Sequence, residues 1–239
     1  MQHWLVPLAP AGRPATSLDL TLVAGPEVPA DDSWLSERER EILATFRLPA
    51  RRSDWRLGRW TARQAFLARA RRDDEEPSPE LSSLAVLAAP DGAPELLRDR
   101  SPTAVALSLS HRNGWGFAAI GDGGLALGCD LEWIEPRSEA FVRDYLTPGE
   151  QSALARWPTA ERSLAANLAW SGKECALKAL REGLRRDTRS VEVDLDQARL
   201  ALSSKEEWNT LSLTASGLAP LGGGWRREGD LLLSWVAAR

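Results

Sequence analysis

Displaced by 111 residues, the sequence falls onto itself. Asp19-Leu20 lands on Asp130-Leu131, Leu35-Ser36 on Leu146-Thr147, Glu39 on Glu150 and Leu43-Ala44 on Leu154-Ala155. With four extra residues allowed in the second copy, Trp55 then aligns with Trp170 and Arg63 with Lys178. An ordered self-match of this kind constrains the fold more than composition does, because each copy must be built from the same elements. Here those elements are a strand, a capped helix and a second helix that begins near a tryptophan. Two similar halves, expected at 1–125 and 126–239, would leave a cleft along a pseudo-twofold axis, and such interfaces commonly hold ligands.

Local patterns fill in the elements. Ser36-Glu37-Arg38-Glu39 and Thr147-Pro148-Gly149-Glu150 both carry the hydroxyl-x-x-carboxylate pattern of a helix start. Apolar spacing predicts helices over 54–72 and 160–186. Val105, Leu107 and Leu109 alternate as in a strand, and 190–195, 210–214 and 230–236 read likewise. Asn113-Gly114 and Gly121-Asp122-Gly123-Gly124 read as hairpin turns, and Gly222-Gly223-Gly224 as a turn between the last two strands. The fold class expected is α+β, made of two small mixed units.

Composition narrows the function. The 239 residues are 43% hydrophobic and carry a net charge of −4, which argues against a general nucleic-acid binder. No run approaches the ~18 apolar residues of a membrane span, and Met1 to Pro10 has no basic leader region. Two cysteines, Cys129 and Cys175, argue against a disulfide framework and fit a reducing cytoplasm. Arginine is the default cation, with only three lysines among 30 basic residues. Two of those lysines, Lys173 and Lys178, lie within six residues of each other, as a site wanting a compact ammonium would have them.

The chemistry-bearing residues cluster around that pair. Asp130 and Glu132 are two apart on an expected strand, so both carboxylates point to one face. Side by side they repel unless a cation neutralises them, and oxygen-only ligands suit a hard ion such as Mg²⁺. Glu174 and Lys178 stand four apart and share a helical face. His111 ends the strand segment Ser108-Leu109-Ser110-His111, where it could donate to a phosphate.

Ser108–His111, Gly128-Cys129-Asp130-Leu131-Glu132, and Trp170-Ser171-Gly172-Lys173-Glu174 with Lys178 resemble, in order and spacing, three signature motifs. They are those of the 4′-phosphopantetheinyl transferases, in the single-chain surfactin-synthetase-activating (Sfp-like) type. The resemblance runs over about 35–195. It implies a duplicated transferase fold with its active site between the halves, the coenzyme A side in the first and the metal and lysine motifs in the second. The implied activity is that of a holo-[acyl-carrier-protein] synthase, moving phosphopantetheine from coenzyme A to a serine of an acyl, peptidyl or aryl carrier protein. Such carriers serve fatty acid, polyketide or nonribosomal peptide synthesis.

By the same resemblance Asp130, Glu132 and Glu174 would hold Mg²⁺, or Mn²⁺, and Lys178 would meet the attacked phosphate. Lys173 would add a second phosphate contact, and Glu174 or Glu150 would take the serine proton. His111 and Ser110, with Arg52, Arg59 and Arg63 of a basic helix, would bind coenzyme A. Gly92-Ala93-Pro94 departs from the family, which has a basic residue at the middle position. Arg181, Arg185, Arg186 and Arg189 form a basic patch suited to an acidic carrier surface. A duplicated chain can build the whole site as a monomer. Two other readings stay open: another Mg²⁺-dependent phosphate-chemistry enzyme, or a non-catalytic module that binds coenzyme A or carrier proteins.

Overall fold

The computed structural model describes residues 1–8, 16–74, 79–203, 207–217 and 219–238. The fold is α+β, and the chain divides into two compact units, Met1–Leu125 and Ala126–Arg239.

The N-terminal unit runs β1 (Gln2–Leu8), β2 (Thr16–Ala24), α1 (Glu37–Thr45), α2 (Pro49–Arg72), β3 (Leu84–Ala88), β4 (Pro94–Arg98), β5 (Ser101–Pro102), β6 (Val105–Arg112) and β7 (Trp115–Asp122). An antiparallel sheet in the order β1-β2-β7-β6 carries α2 on one face, and β3-β4-β5 form a second small sheet. Helix α2 starts at Pro49, whose fixed φ and missing N–H suit a first turn. It buries Ala62, Ala65 and Phe66 against Ala118 and Ile120. Asn113 and Gly114, at φ 49° and 75°, form the tight turn of the β6–β7 hairpin, as expected from the pair.

The C-terminal unit runs β8 (Ala126–Trp133), α3 (Glu139–Tyr145), α4 (Pro148–Ala155), α5 (Arg162–Ala179), β9 (Val191–Val193), α6 (Leu195–Leu200), β10 (Asn209–Ala215), β11 (Leu221–Glu228) and β12 (Leu231–Ala238). Its antiparallel sheet has the order β8-β12-β11-β10-β9, and α5 lies over β8 and β12. Leu168, Ala176 and Leu177 of α5 bury into a core with Leu211, Trp225, Leu232 and Val236. No described helix is long and apolar enough to cross a membrane.

Four sequence expectations need correcting. Gly121–Gly124 is not a hairpin turn, because β7 pairs with β2 and β6 whereas β8 pairs with β12. Gly222–Gly224 lies inside β11, where a side chain on Gly223 would strike the Trp235 carbonyl and one on Gly224 the Trp235 indole, 2.7 Å from Nε1. The long helix stops at Ala179 rather than 186. There Arg181 turns left-handed at φ 57°, its N–H bonds the Lys178 carbonyl, and the Glu182 N–H reaches back to Leu177. That is a Schellman closure, made with arginine where glycine is usual.

The fourth correction concerns the register of the repeat. Both Glu39 and Glu150 are third residues of capping boxes, and each is fully buried against one cation from the following long helix. In the first unit that cation is Arg63, and in the second it is Lys173. Arg63 therefore corresponds to Lys173, and Trp60-Thr61-Ala62-Arg63 to Trp170-Ser171-Gly172-Lys173. The helix repeats at a shift of 110, with no four-residue insertion.

Candidate active site

Alternation along β8 puts Gly128, Asp130 and Glu132 on one face. Gly128 permits the close approach of α5, since a side chain there would collide with the Cys175 carbonyl. On α5, Asn167, Ser171, Glu174 and Lys178 recur at steps of four, three and four residues, a spacing that keeps them on one helical stripe. Strand and stripe are cross-linked. Ser171 Oγ donates to Asp130 Oδ2 at 2.9 Å and lies 3.0 Å from Ser234 Oγ. Lys178 Nζ donates to Asp130 Oδ1 at 2.8 Å and to the Cys129 carbonyl at 2.9 Å. Arg137 Nη2 donates to Glu132 Oε2 at 3.0 Å.

The electrostatics follow from burial and crowding. Burial pushes the Glu174 carboxyl above its usual value, with Lys178 opposing the push and Asp130 adding to it. Burial is the largest single influence on the Lys178 ammonium and would lower it, but the charge and hydrogen bond of Asp130 together with neighbouring Cys129 and Cys175 outweigh it, and the net shift is upward. Lys178 and Arg137 thus place positive charge against Asp130 and Glu132.

Whether this set fits a metal depends on its donors. Among the described residues, no three His, Cys, Asp or Glu groups already stand in metal-holding geometry. Asp130 is turned to Lys178 and Ser171, and Glu132 to Arg137. The chemistry of the set nonetheless suits a hard divalent ion: all three are carboxylates, with Asp130 4% and Glu132 6% exposed and Glu174 half-buried.

Two residues expected at the site are engaged elsewhere. Lys173 Nζ lies 2.8 Å from Glu150 Oε2, and both side chains are 0% exposed. Lys173 also donates to the carbonyls of Thr188 and Val191. Glu150 accepts from the N–H groups of Thr147 and Val193, each at 2.8 Å. Burial pushes Glu150 up and Lys173 down, with their mutual attraction opposing both shifts.

The first unit repeats the arrangement. Glu39 accepts from Arg63 and from the N–H groups of Ser36 and Val86 at 3.0 and 2.9 Å. Arg63 donates to the carbonyls of Leu81 and Leu84. By contrast, the corrected repeat sets Thr21, Gln64 and Ala68 opposite Glu132, Glu174 and Lys178. Asp19 matches Asp130 but pairs with Arg72 at 2.8 Å. Only the C-terminal unit carries the three carboxylates with their lysine.

The remaining basic-helix residues have their own neighbours. Arg52 donates to the Leu43 carbonyl at 2.7 Å. Arg59 lies over the Trp55 ring, 4.1 Å from its centroid, and burial, aided by Arg63, pushes its guanidinium down to about 10 against the pull of Glu39. Ser110 is half-buried and His111 exposed near the end of β6. Sequence reasoning missed Asn167, Arg137 and Ser234 and gave Ser171 no role. The helical spacing from Glu174 could have found Ser171 and Asn167.

The arrangement defines an acidic site with a single lysine, set between the edge strand of an antiparallel sheet and the helix that covers it. Residues 126–217, the greater part of the C-terminal unit, match the family model ACPS, described as the 4′-phosphopantetheinyl transferase superfamily. Among solved structures, the chain is similar to the holo-[acyl-carrier-protein] synthase (AcpS) of Thermotoga maritima. The identity is 17% and the TM-score 0.36, over 54% of this chain and 74% of that one. No curated protein matches the chain.

Proposed function

We propose that the protein transfers the 4′-phosphopantetheine group of coenzyme A to a serine of an acyl, peptidyl or aryl carrier protein, in the manner of the Sfp-like transferases. The observation that carries this reading is the coincidence of the family match with the unit that holds Asp130, Glu132, Glu174 and Lys178. The carrier serine oxygen forms a bond to the β-phosphorus of coenzyme A. The bond from that phosphorus to the bridging oxygen breaks, and adenosine 3′,5′-bisphosphate leaves.

Asp130, Glu132 and Glu174 would hold a divalent ion, Mg²⁺ or Mn²⁺, which supplies charge neutralisation for the diphosphate. Lys178, strongly protonated beside Asp130, offers its ammonium to the phosphate that gains charge. Of the two carboxylates considered for the serine proton, Glu150 is committed to Lys173 and to two backbone N–H groups. That favours Glu174, acting directly or through water. Arg63, Lys173 and Glu150 belong in this reading to the scaffold, while Arg52, Arg59, Ser110 and His111 remain the coenzyme A contacts. Arg181 and its neighbours serve carrier docking.

The test is transfer of a fluorescent coenzyme A conjugate to a panel of apo carriers with Mg²⁺ present. Labelling of at least one carrier at its serine is expected. Folded protein that binds the conjugate and labels none would favour the non-catalytic binder.

A further inference from the structure

The proposed metal ligand Glu132 sits one residue from the end of β8, paired there with Leu232 of β12. Arg137 reaches its carboxylate from the connection to α3. Its Nη2 donates to Glu132 Oε2 at 3.0 Å while its Nε donates to Asn167 Oδ1 at 2.8 Å. One planar fork thereby ties the strand end to the first residue of the polar stripe on α5.

Every part of this bridge is itself held. The guanidinium carbon stands 4.8 Å from the centroid of the Phe141 ring, and Phe141 meets Trp170 edge-on at 5.3 Å. Asn167 is 0% exposed, and its amide donates to the carbonyls of Glu135 and Ser163, both at 2.7 Å. Those bonds fix which end of the amide faces Arg137. The Arg137 and Glu132 side chains, taken without their backbone, are 13% and 8% exposed, so water competes little for either.

We infer that Arg137 is a positioning residue for the metal site: it orients Glu132 toward the divalent ion through a bridge anchored on Asn167. The inference rests on the transferase reading above. Arg137 touches neither substrate nor metal in this scheme. It acts by holding Glu132 Oε2 in a fixed place on the strand. A nearby cation could instead only compete with the metal, and that alternative has the opposite sign. If Arg137 merely neutralises Glu132, removing it should tighten metal binding. If it orients Glu132, removing it should loosen binding by about tenfold, the lower end of what losing an outer-sphere partner of a metal ligand costs.

The experiment measures Mn²⁺ affinity of the full chain in the presence of coenzyme A, by the electron paramagnetic signal of free Mn²⁺. Arg137→Met should raise the dissociation constant about tenfold. Asn167→Ala should move it the same way, and the double variant should be no weaker than Arg137→Met, because both break one bridge. Arg137→Lys keeps the charge without the fork, so it too should bind more weakly than the unmodified protein, and it serves if the methionine variant fails to fold. Arg137→Met or Arg137→Lys binding Mn²⁺ as tightly as the unmodified chain, or more tightly, would overturn the inference. Should the folded, unmodified chain take up no Mn²⁺, the metal assignment behind the transferase reading fails first, and this inference falls with it.

Discussion

Asp130→Ala and Glu174→Ala are each expected to lower phosphopantetheine transfer at least ~100-fold, the scale of losing one preorganised group that stabilises transition-state charge. The two variants should differ in their side effects. Asp130 accepts from Lys178 and Ser171 and is 4% exposed, so its loss also takes one acceptor from the buried Ser171 and one from the half-buried Lys178. A stability cost of about 1–3 kcal/mol accompanies such a loss, and Asp130→Asn, which keeps an oxygen acceptor, should recover part of it while staying inactive. Glu174 is half-buried, and that burial raises its pKa against the attraction of Lys178, with Asp130 adding to the rise. Removing the carboxylate takes away a burial cost that its attraction to Lys178 does not offset, so Glu174→Ala should melt at or above the temperature of the unmodified protein. Transfer rates and melting curves on the same preparations check both statements. Near-normal turnover in either alanine variant would contradict the role given to that carboxylate.

The second large effect concerns stability rather than chemistry. Lys173→Met is expected to cost about 3–5 kcal/mol, because it leaves the Glu150 carboxylate buried beside an apolar side chain. Arg63→Met should cost a similar amount in the N-terminal unit, where Glu39 is equally enclosed. Urea unfolding of the full chain, followed by far-ultraviolet circular dichroism, measures both. At a temperature where Lys173→Met remains folded, its KM for coenzyme A should stay within about threefold of normal, since a scaffold ion pair does not face substrate. Unchanged stability with a large rise in KM would return Lys173 to the phosphate contact that its motif implies.

These two residues show where a single sequence stops being legible. The capping boxes at Ser36 and Thr147 could be read because their reach is local, three residues along a helix start. Nothing in that spacing says that each N3 carboxylate also takes a strand N–H and a cation from the next helix. Those partners lie between 23 and 47 residues away in the sequence. The register slip has a related cause: Trp55 and Trp60 both offered an anchor for Trp170, and only the shared ion pair decides for Trp60.

The glycines of β11 read as a turn because turn chemistry is local, whereas the Trp235 ring that excludes side chains there arrives by strand pairing. Asp130, Glu132, Glu174 and Lys178 were legible because strand and helix periodicity each put two of them on one face. Arg137 was not, because it leaves an irregular connection where no period applies.

The most direct test is the intact mass of an apo carrier protein incubated with coenzyme A, Mg²⁺ and this protein. A gain of about 340 Da, the phosphopantetheine group, is predicted, lost on chelating the metal and absent when the acceptor serine is alanine. An unchanged mass across carriers from fatty acid, polyketide and nonribosomal peptide synthesis, with the protein folded and coenzyme A intact, would contradict it.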